Sequence, residues 1–280
     1  MPAISVVICC ANAEKTLPAA VASAGWADEL VVVDSGSEDG TGEIARAAAD
    51  RYLVEPWRGY MAQKKFGAEQ ATHDWIFVLD GDEEISPQLA EQIRALTDAQ
   101  LDALDVVYVK RRNWVMGRVV RAWSPDWQSR LIHRRRVRWP EEALHESRLP
   151  RDPSRSRKLS GHLEHKRVGV ASWLDYFSGR RMDERLLPVA EQMYARGRRA
   201  TWLSLWVRPW FAFWKFYLIK GAFRDGVFGL LIAQKAAVSV QLKYAALWAV
   251  QQKRAVGREE VTRGAKAGRC GPVHLPQRKS

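Results

Sequence analysis

Four short apolar runs in the first eighty residues, each separated from the next by a stretch of helical character, constrain the fold more than any other feature. ISVVIC (Ile4–Cys9), ELVVV (Glu29–Val33), a weaker run at Tyr52–Glu55 and WIFVL (Trp75–Leu79) read as strands, and Thr16–Ala24, Thr41–Ala49 and Ala62–Ala71 as the helices between them. A β-branched run without polar alternation belongs to a strand covered on both faces, and a helix between successive strands makes the βαβ units of a parallel sheet. Ser37, Asp39 and Gly40 stand where caps for the second helix belong. Ser86 followed by Pro87 predicts a helix to about Leu96, since serine accepts from the first free N–H groups and proline pre-sets the first turn.

From Val106 that period is lost. VVYVK and SRLIH read as short strands between Arg- and Trp-rich links, and residues 147–160 as an exposed basic loop. Ser172 to about Ala195 has helical apolar spacing that Pro188 should kink or divide. Trp202–Val250 reads as helical again, and the tail from Arg254 as loose.

An apolar fraction of 47% beside 27% charged residues in 280 excludes a disordered chain. Of the three cysteines, Cys9 and Cys10 are adjacent and Cys270 is far away, so no disulfide framework or metal clip can be drawn and a reducing compartment is expected. MPAISVVICCANAEK has no basic segment ahead of its apolar run, so no secretory signal is expected. Charge divides the chain. Residues 1–100 hold 7 Lys and Arg against 17 Asp and Glu, whereas residues 101–280 hold 37 against 15. A basic half on that scale suits a polyanionic partner: nucleic acid, an anionic membrane or a phosphorylated substrate.

Open parallel sheets bind ligands at the carboxyl ends of their strands, and two acidic clusters fall there. Asp34 in VVVDSGSEDGT follows the second strand, where a carboxylate can accept from a ribose or a base edge; the alternative is that Asp34, Ser35 and Ser37 only form a turn and a cap. A nicotinamide enzyme would need a glycine-rich turn after the first strand, and no glycine occurs before Gly25. Asp80, Gly81, Asp82, Glu83 and Glu84 follow the fourth strand. Two carboxylates flanking one glycine can turn toward a hard divalent cation, Mg2+ or Mn2+, which would bridge a diphosphate; the alternative is a solvated acidic turn.

These pieces, in order, resemble family 2 glycosyltransferases of the GT-A fold, and within them the lipopolysaccharide inner-core β-1,4-glucosyltransferases. The matching stretches are SVVICCANAEKTL, WADELVVVDSGSEDGT, PWRGYMAQKKFGAEQATHDWIFVLDGDEEISPQL, KRRNWVMGR, WSPDWQSRLIHRR, ALHESRL and FYLIKGAFRDGVFGL, over most of residues 4–232. The resemblance implies an α/β, Rossmann-like nucleotide-diphospho-sugar transferase domain over residues 1–170. A helical, membrane-associating extension over 171–255 and a flexible tail over 256–280 would follow. It implies that Asp34 contacts the donor nucleotide, that Asp80 and Asp82 hold metal and diphosphate, and that Gln63 and Lys64 line the donor site. Where the family has Asn-Glu after the first strand, this chain has Asn12-Ala13-Glu14, with Glu14 standing in for the displaced carboxylate; Lys64-Lys65 likewise departs from Gln-Lys-Asn. The implied reaction moves glucose from UDP-glucose, with inversion, to a heptose of the lipid A core at the cytoplasmic face of the inner membrane.

Inversion needs a base to take the acceptor hydroxyl's proton. Glu146 in ALHESRL is the first candidate, by the place of an acid in related enzymes, and Asp126 in WSPDWQ the second. His145 and His165 are candidate ligands, His165 because HLEH lies where GT-A enzymes often supply a third metal ligand; the alternative for each is a packed or surface histidine. HLEH lacks the HExxH pattern of a zinc hydrolase.

Trp202, Trp206, Trp210 and Trp214 recur every four residues, drifting about 40° per step, and so share one broad helix face. Arg208, Lys215, Lys220 and Arg224 interrupt the region, so no membrane span is expected, and the stripe suits a bilayer headgroup boundary or a helix packed on the core. A nucleic-acid-binding protein is the reading from another class. Against it, the arginines are scattered, no recognised binding module is present, and the acidic clusters would repel phosphates without a metal.

Overall fold

The computed structural model describes residues 2–139, 149–166 and 182–267, with side chains described except at 149, 182–185 and 255–267. The chain divides into two compact units, residues 1–176 and 177–280.

In the first unit, β1 (Ile4–Cys10), β2 (Glu29–Asp34), β3 (Arg51–Val54) and β4 (Trp75–Asp80) form a parallel sheet in the order β3-β2-β1-β4, with α1 (Leu17–Ser23), α2 (Thr41–Ala48) and α3 (Tyr60–Gln70) as the crossovers. The apolar runs are continuous because both faces are covered. Val6, Ile8, Val32, Phe77 and Leu79 pack with Leu17, Ala20, Leu89 and Ile93, while Val7, Val31, Val33, Ile76 and Val78 pack with Ala68 and Ala71. Gly67 lets α3 approach the sheet closely, since a Cβ there would lie 2.5 Å from Cγ1 of Val7.

Beyond β4 the sheet becomes mixed. β5 (Glu83–Ile85) leads into α4 (Pro87–Arg94), which is capped as predicted, with the Leu89 N–H donating to Ser86 Oγ at 3.3 Å. After the short α5 (Asp98–Asp102) come β6 (Val106–Val115), β7 (Arg118–Val119), β8 (Asp126–His133), β9 (Val137–Arg138), β10 (Leu149–Pro150) and β11 (Ser156–Lys166). The order continues from β4 through β8, β6 and β11 to β5; β8 runs antiparallel to β4 and β6, and β11 parallel to β6. The predicted loop over 147–160 is therefore corrected: from Ser156 the chain is a strand. Arg157, Lys158 and Lys166 are exposed, while Leu159, Leu163 and His165 are buried.

In the second unit, α6 (Met182–Ala195) runs undivided through Pro188 and packs against the long α8 (Gly226–Ala267). Between them lies α7 (Trp202–Trp214), opened by a reciprocal cap between Thr201 and Ser204. The helical region predicted over 202–250 is broken by a π turn at Lys215–Ile219 and by Gly221 (φ 72°) and Gly226 (φ 61°). The predicted loose tail is helix as far as Ala267. Ala190, Met193, Ala200, Tyr244, Leu247 and Val250 form the core of this unit. The four stripe tryptophans are not in it; Trp202, Trp206, Trp210 and Trp214 are 74, 67, 60 and 47% exposed. Among the described residues no helix is long and apolar enough to cross a membrane.

Candidate donor and metal site

Register brings the two acids together. Cys10 of β1 pairs with Asp34 of β2, and Cys9 with Asp80 of β4, so the two carboxylates flank the carboxyl end of β1, where an open sheet offers its crevice.

On the first flank, Asn12 takes a left-handed φ of 48°, a conformation its short amide tolerates through local bonding. Its N–H donates to Ser37 Oγ at 2.8 Å and its Oδ1 accepts from the Glu38 N–H at 2.9 Å. Glu14 joins the same turn, its Oε2 accepting from the Gly40 N–H at 3.2 Å. Asp34 is only 2% exposed. Its Oδ1 accepts from the Ser37 N–H (3.0 Å) and Oγ (2.6 Å), and its Oδ2 from the Tyr52 hydroxyl (2.9 Å). Burial, reinforced by that bond, pushes the Tyr52 phenol up. The link after β1, with Asn12 and Glu14, is thus hydrogen-bonded to the link that follows Asp34, and Ser37 serves Asp34 rather than the helix. The capping oxygen for α2 comes from Asp39, which accepts from the Thr41 N–H at 3.1 Å.

The second flank is a charge network in which Lys64, Arg130 and Glu83 are buried and Asp80, Arg111 and Asp126 partly so. The Lys64 ammonium lies 2.6 Å from Asp80 Oδ1, and Arg130 Nη2 lies 2.9 Å from Asp80 Oδ2 and 2.5 Å from Glu83 Oε1. Arg111 reaches both Glu83 (3.3 Å) and Asp126 (2.8 Å). Three cations against three carboxylates leave the cluster neutral, as charges out of water require. Burial alone would raise the Asp80 pKa, but Lys64 and Arg130 outweigh it and hold this carboxyl well below the usual range. At Glu83 burial prevails over Arg130 and pushes the carboxyl up. Asp126 is drawn down: burial opposes, but Arg111 and hydrogen bonds from Asn113 (2.9 Å) and Gln128 (2.6 Å) prevail.

Asp82 stands at the rim with its side chain 44% exposed, and its Oδ2 lies 3.2 Å from Nε2 of the buried His165. The opposite ring nitrogen, Nδ1, lies 2.8 Å from Asn113 Oδ1. The Asn113 amide nitrogen is already donating to Asp126, so its oxygen is the acceptor for a proton on Nδ1. Nε2 then faces a carboxylate oxygen lone pair to lone pair, an arrangement that calls for a proton or a metal cation between them. Imidazole nitrogen and carboxylate oxygen suit Mn2+, and an imidazole held from behind by an amide is the usual way to orient such a ligand. Asp82 and His165 therefore fit a divalent cation. Asp80, expected beside them as a ligand, instead has both oxygens engaged by Lys64 and Arg130. Among the described residues no three His, Cys, Asp or Glu side chains gather for a metal, so further positions would fall to water and substrate phosphates, as is common for Mg2+.

Gln63 does not line an open surface: it is fully buried, its Nε2 donating to the Glu55 carbonyl (2.9 Å) and its Oε1 accepting from the Arg58 N–H (3.2 Å). Lys64, also buried, acts through Asp80. Glu146 and His145 lie outside the described residues. Sequence reasoning missed Arg130, Arg111 and Asn113, and gave Glu83 no role beyond its place in the acidic cluster. Arg130 alone left a trace, a charge directly before the apolar Leu131 and Ile132 within a strand, which marks a buried pair.

A parallel four-stranded sheet extended by mixed strands, with acids at the ends of β2 and β4, defines a glycosyltransferase of the GT-A class. The chain belongs to glycosyl transferase family 2, whose pattern its residues 5–147 match. It is 30% identical over 263 residues to the lipopolysaccharide core biosynthesis glycosyltransferase LpsC of Rhizobium meliloti, covering 88% of this chain and 92% of that one. It is also similar to the undecaprenyl-phosphate 4-deoxy-4-formamido-L-arabinose transferase of Pseudomonas paraeruginosa, 34% identical over 157 residues, 51% of this chain and 44% of that one. Among solved structures it resembles glucosyl-3-phosphoglycerate synthase from Mycobacterium tuberculosis, at 24% identity and a TM-score of 0.33 over 40% of this chain and 44% of that one. That likeness is too partial to bear on function.

Proposed function

We propose that the chain transfers glucose from UDP-glucose, with inversion, to a heptose of the lipid A core, using Mn2+ or Mg2+. The observation that carries this reading is the pair of acids flanking the carboxyl end of β1, with Asp82 and His165 set for a cation beside Asp80. Asn12 and Glu14 would meet the nucleoside, and Asp34, held by Ser37 and Tyr52, would reach it where those bonds exchange for the ligand's. Asp82 and His165 would hold the metal, which when bound supplies Lewis-acid stabilisation of the diphosphate leaving group. Lys64 and Arg130 fix Asp80 and neutralise it, so that the crevice does not repel a diphosphate. Glu146 would take the acceptor proton. The lipopolysaccharide acceptor is supported by the likeness to LpsC along nearly the whole chain. Binding a panel of nucleotide sugars with and without Mn2+ tests the donor: tight Mn2+-dependent binding of UDP-glucose alone is expected, and equal binding of GDP sugars would overturn it.

The second unit would seat the enzyme on the cytoplasmic face of the inner membrane. Its exposed Trp202, Leu203, Trp206, Val207, Trp210 and Phe211 form an apolar surface on one helix, and the basic half of the chain complements an anionic bilayer. Another lipid-linked acceptor is the competing reading, favoured by the likeness to the undecaprenyl-phosphate transferase. Transfer assays with purified core oligosaccharide against a polyprenyl phosphate sugar distinguish the two.

A further inference from the structure

A cavity of about 350 Å3 in the second unit is lined by Arg198, Arg199, Arg208 and Tyr244. Three segments converge on it: the link between α6 and α7, α7 itself, and α8. Gly197, at φ 78°, ends α6 with its N–H donating to the Tyr194 carbonyl (3.0 Å), and the Arg198 N–H donates to the Met193 carbonyl (2.9 Å). This left-handed glycine termination carries Arg198 and Arg199 to the cavity. The link is tied down on its other side, where the Ala200 N–H donates to Gln251 Oε1 and Gln251 Nε2 donates back to the Ala200 carbonyl.

The cations are set in place. Arg199 lies 4.0 Å above the Tyr194 ring, and its Nη1 donates to the carbonyls of Tyr194 (3.0 Å) and Arg198 (2.9 Å). Arg208 lies 5.0 Å and Lys243 5.6 Å from the ring of the buried Tyr244. Among the described residues none of these four cations pairs with a carboxylate. Burial, together with the charges of Arg198 and Arg208, draws the Lys243 ammonium pKa down. Like charges brought together, with rings or backbone holding the heads of Arg199, Arg208 and Lys243, cost free energy that an anion would recover. Planar guanidinium forks match phosphate oxygens two at a time, and a lysine adds a point charge.

We propose that Arg198, Arg199, Arg208 and Lys243, around Tyr244, form a phosphate-binding pocket in the helical unit, distinct from the donor crevice, that takes the phosphate of a lipid headgroup or of a free phosphomonoester. The cavity is large enough for a phosphate and an attached sugar-sized group.

The test uses the full chain and two probes: glucose 1-phosphate by calorimetry, and flotation with phosphatidylcholine vesicles with or without one-fifth phosphatidic acid. Arg199→Gln with Arg208→Gln should weaken pocket-dependent binding about tenfold or more, while a charge-matched control, Lys253→Gln with Arg254→Gln, should change it less than about twofold. UDP binding in the presence of Mn2+ should be unaffected in both, which separates this site from the donor reading. Saturable binding of glucose 1-phosphate identifies a free phosphate group as ligand, and a pocket effect confined to phosphatidic acid vesicles identifies a lipid headgroup. If the double variant does not fold, the exposed Arg198→Gln serves instead, with about threefold weakening expected. Equal losses in pocket and control variants, or no saturable binding of either probe, would overturn the proposal.

Discussion

The ammonium of Lys64 lies 2.6 Å from Oδ1 of Asp80, and with Arg130 on the other oxygen this carboxylate is clasped by two buried cations. Its pKa would be about 4 in the unfolded chain and is held well below that in the fold. The clasp therefore contributes its full stability above about pH 4 and loses it as pH falls further. Breaking a buried pair of this kind costs about 3 kcal/mol. The stability gap between the native chain and Asp80→Asn should thus hold constant from about pH 8 to about pH 5 and narrow below about pH 4. Urea unfolding at each pH measures it, and a gap that persists undiminished in acid would sink the assignment.

Asp82 is half open to solvent and packs against little. Asp82→Asn should leave urea stability within about 0.5 kcal/mol yet abolish Mn2+-dependent UDP binding in calorimetry. Asn113→Ala, which frees the His165 ring, should weaken that binding about tenfold. Unchanged affinity in Asp82→Asn would remove it from the metal site.

Glu146→Gln should lower turnover about a hundredfold or more with near-normal donor binding. Asp126→Asn should be milder, because Arg111, Asn113 and Gln128 hold Asp126 ionised but make it a weak base. Steady-state kinetics of the two variants decide the point; the reverse order would make Asp126 the base.

Replacing Trp206, Trp210 and Trp214 together with alanine should release the protein from anionic liposomes without unfolding it, since none of the three belongs to the core and Trp206 and Trp210 stand largely in solvent. Flotation alongside a thermal melt tests both halves. Loss of the fold would return the stripe to a core-packing role.

How much was legible follows from which residues carry each element. β1, β2 and β4 are covered on both faces, so they appear in the sequence as unbroken runs, and their ends located Asp34, Asp80 and Asp82. β11 escaped notice because SRKLSGHLEHK exposes Arg157, Lys158 and Lys166, and only every second residue from Leu159 to His165 is inside. Its alternation is masked by charge. The Lys64–Asp80 contact joins a helix to a strand sixteen residues on, and no periodicity encodes it. The tryptophan stripe was visible as a face, but its exposure depends on how α7 meets α8, a tertiary fact.

Pairing of β11 with β5 sets His165 opposite Glu83 and Glu164 opposite Glu84. The histidine that meets Asp82 is thus delivered by a strand eighty residues downstream, in a register where a slip of one position would turn it to the other face. The nucleotide half of the crevice is built from residues of the first eighty, whereas the cation half is complete only with β11 in place. The cation half is thereby tied to the far edge of the sheet: a change that loosens β11 would unseat His165 while leaving the turn around Asp34 intact.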